Sequence, residues 1–294
     1  MKVVTAVVNN PIFIQIQYYT LKKYMKCDYE FIVFNDAKEF PDFTNGGDIT
    51  VRRTIEEHCK QLRINCINIP NNHHSFNDSE LYKNPSYRTA ESMNFILEYQ
   101  KNKPDNYLLL DSDMFLIDYF DIEQYNKYDC SVVLQHRKNI DNSDIHYIWN
   151  GIYYFNIYQL DTFLMNWHCT LTTDTGGRMS TWLKSKTMVF PNMNELTIKY
   201  NEYNESSDPI EINKIHFMKY LKSCSWNINN VPKIISQNQK LVDFLISDPR
   251  NKNGNFFCEL YDNKFFHYRA GGNWEKQNFN THVDLSYKLK HALL

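Results

Sequence analysis

Between Asp105 and Leu116 the chain reads DNYLLLDSDMFL, and the apolar run Tyr107 to Leu110, polar on both flanks, constrains the fold more than any other stretch. So short an uninterrupted run fits a strand buried on both faces, of the kind found inside parallel sheets. It stops at Asp111-Ser112-Asp113. A buried strand with two carboxylates at its carboxyl end places them where open α/β sheets bind their ligands. Asp111 and Asp113 are two residues apart and in extended chain project to the same side. With no Cys or His beside them they make a hard, oxygen-rich site that suits Mg2+ or Mn2+ better than zinc. A plain polar turn after a core strand reads the same way in a chain with 34 acidic residues, so the tail of the chain has to separate the two.

The chain opens with a β-branched run, Lys2 to Val8, that reads as a first, central strand. Asn9-Asn10-Pro11 closes it, and Pro11 suits the first turn of a helix over Ile12 to Met25. Tyr29 to Phe34 is a second strand ended by Asn35-Asp36, which completes a βαβ opening. No G-x-G-x-x-G follows the first strand, so the dinucleotide fingerprint is absent. Asn9 and Asn35-Asp36 are instead candidates to hydrogen-bond a base or ribose, although such residues also end strands for local reasons. A turn-rich loop over Phe40 to Asp48 leads to a helix from Thr50 to about Leu62 and a short strand, Asn65 to Ile69. His73 and His74 lie in a polar excursion, Pro70 to Pro85, and are expected to be solvated. Ser86 to Tyr99 reads as a helix capped by Ser86, with Ala90, Met93, Ile96 and Leu97 on one face. Arg88 then sits in the first turn, where the helix dipole disfavours a cation. It serves either an anion such as a diphosphate or a surface pair with Glu91.

Beyond the aspartates, Asp118 to Tyr125 is a short helical connection and Cys130 to Gln135 another strand. Tyr147 to Ile157, YIWNGIYYFNI, carries Asn150-Gly151 as a turn between aromatic flanks, suited to a hairpin or to a cleft whose rings stack on sugars. Leu160 to Trp167 resembles a helix, and TTDTGGR (Thr172 to Arg178) is a polar loop around Asp174. A helix begins within Gly177 to Lys184, a strand follows at Thr187 to Phe190, and Asn192 to Asn213 has the composition of a surface insertion or lid. Ile215 to Leu221 and Ile234 to Ile246 show mixed patterns, and Phe256 to Tyr268 returns to β character.

Hydrophobic residues make up 43% of the 294, enough for a substantial core, and nothing in the composition reads as disordered. The formal charge of -2 gives no field to attract nucleic acid or an anionic membrane. Seven scattered cysteines without a close pair fit reduced, mostly buried thiols in a cytosol-like compartment. The apolar run of MKVVTAVVNNP is short for a signal peptide, and no stretch is long enough to predict a transmembrane helix. No internal repeat appears. The expectation is a single domain over 1–275 followed by a helical tail, 276–294, with a homodimer possible.

The tail motif is His267-Tyr-Arg-Ala-Gly271-Gly272-Asn-Trp274, directly after Phe265-Phe266. A histidine at this second strand end offers a neutral imidazole to a cation begun by the aspartates. Gly271-Gly272 offers backbone N–H groups to a phosphate. Taken together, the strand-terminal D-x-D motif at Asp111 and Asp113 and the late H-x-x-x-G-G-x-W resemble glycosyltransferases of the GT-A fold, and most nearly glycosyltransferase family 8, the glycogenin and bacterial galactosyltransferase group. In that family the late signature is histidine, two residues, glycine, two residues, Lys-Pro-Trp. Here three residues separate His267 from Gly271 and no Lys-Pro precedes Trp274.

The resemblance implies an α/β fold with a Rossmann-like mixed central sheet flanked by helices. It implies a UDP-linked or other nucleotide-diphosphate sugar as donor, a glycan or protein hydroxyl as acceptor, and Mn2+ or Mg2+ held by Asp111, Asp113 and His267. On it, Val8, Asn9 and Asp36 hold base and ribose, while Arg88, Ser112, Gly271, Gly272 and Arg269 meet the donor phosphates. Arg269, ahead of Lys276, takes over the missing lysine. Asp113, Asn150 and Asp174 fall at the reacting centre. An inverting enzyme would use Asp174 as base; family 8 retains configuration, which leaves Asp174 to bind sugar. Two alternatives remain open. A nucleotidyltransferase or sugar-phosphate hydrolase could use the same aspartates, although the D-x-D-x-T pattern of phosphatases fails at Phe115 and no Gly-rich loop with lysine follows the first strand. A sugar-binding protein without catalysis would not need the cost of a buried metal triad.

Overall fold

The computed structural model describes residues 1–41, 45–75, 84–187, 210–272 and 279–294. The chain forms two compact units: unit one is Met1–Val4, Asn68–Leu109 and Glu123–Met218, and unit two is Thr5–Ile67, Leu110–Ile122 and Lys219–Leu294. Two strands, β1 (Lys2–Val7) and β4 (Asn106–Leu110), run from one unit into the other.

In unit one the strands lie in the order β1-β4-β7-β6-β9-β8, with β6 Cys130–Lys138, β7 Asp144–Asn156, β8 Ile210–Ile212 and β9 Ile215–Phe217. The sheet is mixed: β1 pairs with β4 and β6 with β9 in parallel, while β6 with β7 and β8 with β9 are antiparallel. This is the α/β class expected from the sequence. Val3 and Val4 sit opposite Leu108 and Leu109, and all four are buried, which is why one run reads as β-branched and the other as continuously apolar. The long helix of unit one, Pro85–Asn102, is capped by Asn84, whose side chain accepts from the Ser86 N–H. The cap therefore falls two residues before the Ser86 expected, with Pro85 filling the first helical position.

Several local expectations for unit one are corrected. Asn150-Gly151 is not a turn. The pairing slips from Val132 opposite Tyr153 to Leu134 opposite Ile148, so the dipeptide lies in a bulge within the continuous strand β7. A Cβ on Gly151 would fall 2.2 Å from the Trp149 indole, so glycine is what lets that ring fold back. The true β6–β7 turn is Asn139 to Ser143, with Asn142 at φ 63° and Asp141 accepting from the Ser143 N–H. Leu160 to Trp167 is not a helix, because the residues that gave it an apolar period are divided: Phe163 is 87% exposed, whereas Trp167 is buried and stacked on Tyr153. Its backbone is engaged by the Asn94 side chain and the Gly176 N–H. His73 and His74 are buried, not solvated; they lie on a short helix, Asn72–Ser75, with ring centroids 4.0 Å apart and tilted by 41°, and His73 Nε2 is 3.3 Å from Ser92 Oγ. Thr187, where a strand was expected to begin, instead ends the helix Met179–Thr187; the rest of that expected strand, 188–190, and most of the Asn192 to Asn213 insertion lie outside the described residues, as do Trp274 and Lys276.

Unit two joins β3 (Asn65–Asn68) and β2 (Glu30–Asn35) to the end of β1, and adds a second sheet of order β10-β11-β12-β5. Those strands are Tyr220–Leu221, Glu259–Tyr261, Phe265–His267 and Met114–Leu116. Helix α1, Pro11–Tyr24, begins at Asn10, whose side chain accepts from the Ile12 N–H and donates to Ser286 Oγ in the C-terminal helix Phe279–Leu293. Such a cap stabilises by about 1 kcal/mol. Phe13 and Ile16 of α1 pack with Phe115, Phe266, Leu285 and Leu289 in one core. Among the described residues all seven cysteines are free, and no helix is long and apolar enough to cross a membrane.

Candidate metal centre

The site grows from the turn after β4. Asp111 O accepts from the Met114 N–H at 3.0 Å, closing a turn, and Asp111 Oδ1 accepts from the Ser112 N–H at 2.8 Å. Buried Gln17 of α1 donates to Asp111 O at 2.8 Å and to Met114 O at 3.1 Å, pinning the turn from behind. The chain leaves as β5, and antiparallel pairing sets His267 opposite Met114 and Glu259 opposite His267. Asp113 O then accepts from the Tyr268 N–H at 2.9 Å. The register of one small sheet thus brings Glu259 and His267 to the Asp111–Asp113 turn, about 150 residues earlier in the chain.

Asp111, Asp113 and His267 each present a ligand atom within 4.8 Å of the others. His267 Nε2 stands 3.1 Å from Asp113 Oδ1, and His267 Nδ1 stands 2.8 Å from Glu259 Oε2. Asp113 and His267 are buried and Asp111 half-buried. Burial and the Asp113 charge push the Asp111 carboxyl up to about 7, against the opposing pull of His267 and the Ser112 N–H. Burial lowers the affinity of His267 for a proton, but Asp113 and Glu259 outweigh it and push the imidazole up to about 10. Burial raises the Glu259 carboxyl as well, and the hydrogen bond and charge of His267 more than reverse it. The raised Asp111 and His267 groups both reflect carboxylate charge crowded into a buried site.

The residues fit a hard divalent ion. The donor set is two carboxylates and an imidazole, and buried Asp113 Oδ1 lacks a hydrogen bond unless His267 Nε2, 3.1 Å away, carries a proton. With Nδ1–H directed at Glu259, a neutral His267 aims its Nε2 lone pair at that same oxygen. Two lone pairs facing one another across a buried gap call for a proton or a metal ion between them.

The other expected residues divide by unit. In unit two, Asn9 is buried and its amide donates to Gly272 O at 2.9 Å, tying the end of β1 to the glycine loop. Val8 is half-buried, and buried Asp36 donates its backbone N–H to Val7 O. Gly271 does not offer its N–H to a ligand: it donates to Asp113 Oδ2 at 2.7 Å. Exposed Arg269 lies over Phe257 and donates to Ser223 Oγ at 2.6 Å. Arg88, Asn150 and Asp174 belong to unit one. Arg88 is half-buried in the first turn of Pro85–Asn102, and Glu91 has His168 within 3.9 Å. Exposed Asp174 accepts from Ser86 Oγ and from the Thr175 N–H, clasping its loop to that helix start.

Sequence reasoning missed Gln17, Glu259 and the buried pair Asp248–Arg250. Gln17 stands out from Gln15 by its spacing, four residues from both Phe13 and Leu21 on the buried face of α1. Asp262-Asn263, both at positive φ, signal a hairpin, but only the three-residue loop Asp262 to Lys264 sets Glu259 opposite His267, and that length is seen in the structure alone. Arg250 binds both oxygens of Asp248, stacks 3.6 Å from the Tyr268 ring and donates to Arg269 O at 2.6 Å, bracing the segment that follows His267.

No protein-family model and no curated protein matches this chain. Among solved structures it is similar to the galactosyltransferase LgtC in complex with donor and acceptor sugar analogues, at 11% identity and a TM-score of 0.34. That alignment covers 56% of this chain and 62% of LgtC. A second similarity is to the bifunctional glycosyltransferase WbbM in its apo form, at 11% identity and a TM-score of 0.33, covering 54% of this chain and 32% of that one. The chain thus spans less than two thirds of either neighbour.

Proposed function

We propose that this chain is a metal-dependent glycosyltransferase that moves a sugar from a nucleotide-diphosphate donor, UDP-linked, to a hydroxyl acceptor on a glycan or protein, with retention of configuration. One observation carries the reading: Asp111, Asp113 and His267 converge at the carboxyl end of a buried strand, the place and the donor set that a divalent ion with a diphosphate requires. Asp111, Asp113 and His267 would hold Mn2+ or Mg2+, which supplies positive charge to the leaving diphosphate. Around it the chain's own groups bind and orient. Asn9 fixes the glycine loop through Gly272, Gly271 holds Asp113, and Val8 and Asp36 at neighbouring strand ends take base and ribose. Ser112 and Arg269 are assigned to the phosphates. In unit one the proposed roles are an anion for Arg88 and sugar hydroxyls for Asn150 and Asp174.

Thermal shift with UDP-, GDP- and TDP-sugars, each with and without Mn2+, tests the reading. The expected result is a Mn2+-dependent rise in Tm with a UDP-sugar, absent in Asp113→Asn, and slow release of UDP on prolonged incubation. Release of pyrophosphate would instead make the protein a nucleotidyltransferase. Donor binding that ignores both metal and Asp113 would overturn the metal assignment.

A further inference from the structure

Glu259 has no place in the donor set, yet it is the residue on which the geometry of His267 depends. We propose that Glu259, held by Tyr261, is a positioning residue that fixes the His267 imidazole with Nδ1–H inward and Nε2 toward the cation, and thereby sets the affinity of the metal centre; this rests on the metal reading above.

The placement comes from the sheet. Glu259 and His267 are directly opposed across β11 and β12, so their side chains leave the same face a few ångströms apart. Tyr261, two residues along β11, projects to that face as well, and its hydroxyl donates to Glu259 Oε2 at 2.8 Å. The same oxygen lies 2.8 Å from His267 Nδ1, and Oε1 accepts from the Ser223 N–H at 3.4 Å. Glu259 is therefore committed on both oxygens to protein donors and stands outside the cluster of converging ligand atoms. A carboxylate is an acceptor only, so the group it faces must carry the hydrogen. That leaves Nε2 as the ring nitrogen available to a cation, and it is Nε2 that points at Asp113. Burying a third carboxylate beside two others is costly unless it does something the apolar alternative cannot. Orienting a ligand imidazole and raising its basicity is such a task, and loss of a partner of this kind weakens metal binding by about 10- to 100-fold in general.

The test is Mn2+ titration of the full-length protein without nucleotide, followed by electron spin-echo detection of imidazole 14N coupled to the bound ion. Wild type is expected to bind Mn2+ and show the 14N coupling. Glu259→Leu is expected to bind about 10- to 100-fold more weakly and to lose the coupling while Asp111 and Asp113 remain. Glu259→Gln, which keeps an acceptor oxygen, is expected to retain the coupling with a smaller loss. If Glu259→Leu does not fold, Tyr261→Phe decides, with an expected loss of several-fold. A wild-type protein that binds no detectable Mn2+ would sink the metal reading itself. Imidazole-coupled binding in wild type, with affinity and coupling unchanged in the folded variants, would overturn the role of Glu259 and leave the metal reading intact.

Discussion

Asp113 is held through Oδ2 by the Gly271 N–H, and the cause lies as much in the glycine as in the carboxylate. A Cβ on Gly271 would fall 2.8 Å from Phe13 Cε2 and from Tyr268 Cδ1, and 2.9 Å from Asp113 Cβ. None of these neighbours is the free end of a flexible chain, so the loop would have to retreat, stretching the 2.7 Å bond from the Gly271 N–H to Asp113 Oδ2. Gly272 differs: its nearest neighbour, Asn9 Oδ1, would be 3.7 Å from an added Cβ, an ordinary contact. Gly271→Ala is therefore expected to cost about 1–3 kcal/mol and to weaken Mn2+ binding. Gly272→Ala should fall within about 0.5 kcal/mol of wild type. Urea unfolding of both proteins checks the contrast, and equal stabilities would mean that close packing at residue 271 is not what holds the loop.

Among the elements, α1 does more than cover the sheet. Its apolar face buries Phe13, Ile14, Ile16 and Leu21, and Gln17 stands in that face to hold the carbonyls of Asp111 and Met114. Gln17→Leu keeps the volume and removes the donor, leaving Met114 O buried with one bond fewer. The expected cost is about 1–3 kcal/mol, together with weaker Mn2+ binding as the turn loosens. A stability loss with unchanged Mn2+ affinity would show that the turn keeps its shape without the helix. Helix α1 also shows how far the sequence could be read. Pro11, the apolar spacing and the polar stop at Asn9-Asn10 were all local signals, and the helix fell within a residue of its expected bounds. The runs of β1 and β4 were legible for the same reason, since burial on both faces leaves a record of β-branched and apolar residues. Asp111, Asp113 and His267 were legible as chemistry at strand ends. Glu259 was not, because its role comes from a partner across a hairpin. Asn150-Gly151 misled because the dipeptide signals a turn only where the partner strand stops, and β6 continues past it. Leu160 to Trp167 misled because apolar spacing does not say which apolar residues are buried.

Across the whole molecule, each unit carries a buried histidine held neutral. In unit one, burial and nearby His136 push the His146 imidazole down to about 4, with Lys184 and Lys138 adding to the effect and Asp144 opposing it. In unit two, burial and Arg250 push His282 down to about 4, against the opposing charges of Asp248 and Asp113. An unfolded histidine takes up its proton near pH 6.5, whereas these two in the folded protein do so only near 4. As pH falls from 6.5 toward 4 the unfolded chain therefore binds more protons than the folded one, and stability drops by roughly 1–3 kcal/mol for each histidine. Above pH 6.5 both states are neutral at these positions and the contribution is flat. Carboxylates also titrate toward the acid end, so the diagnostic quantity is the slope removed by substitution rather than the whole decline. His282→Gln and His146→Gln are each expected to flatten the fall of Tm between pH 6.5 and 4.5 while leaving its course above pH 7 parallel to that of wild type. A slope unchanged in both variants would mean that the two imidazoles gain their protons within the folded protein as easily as in water.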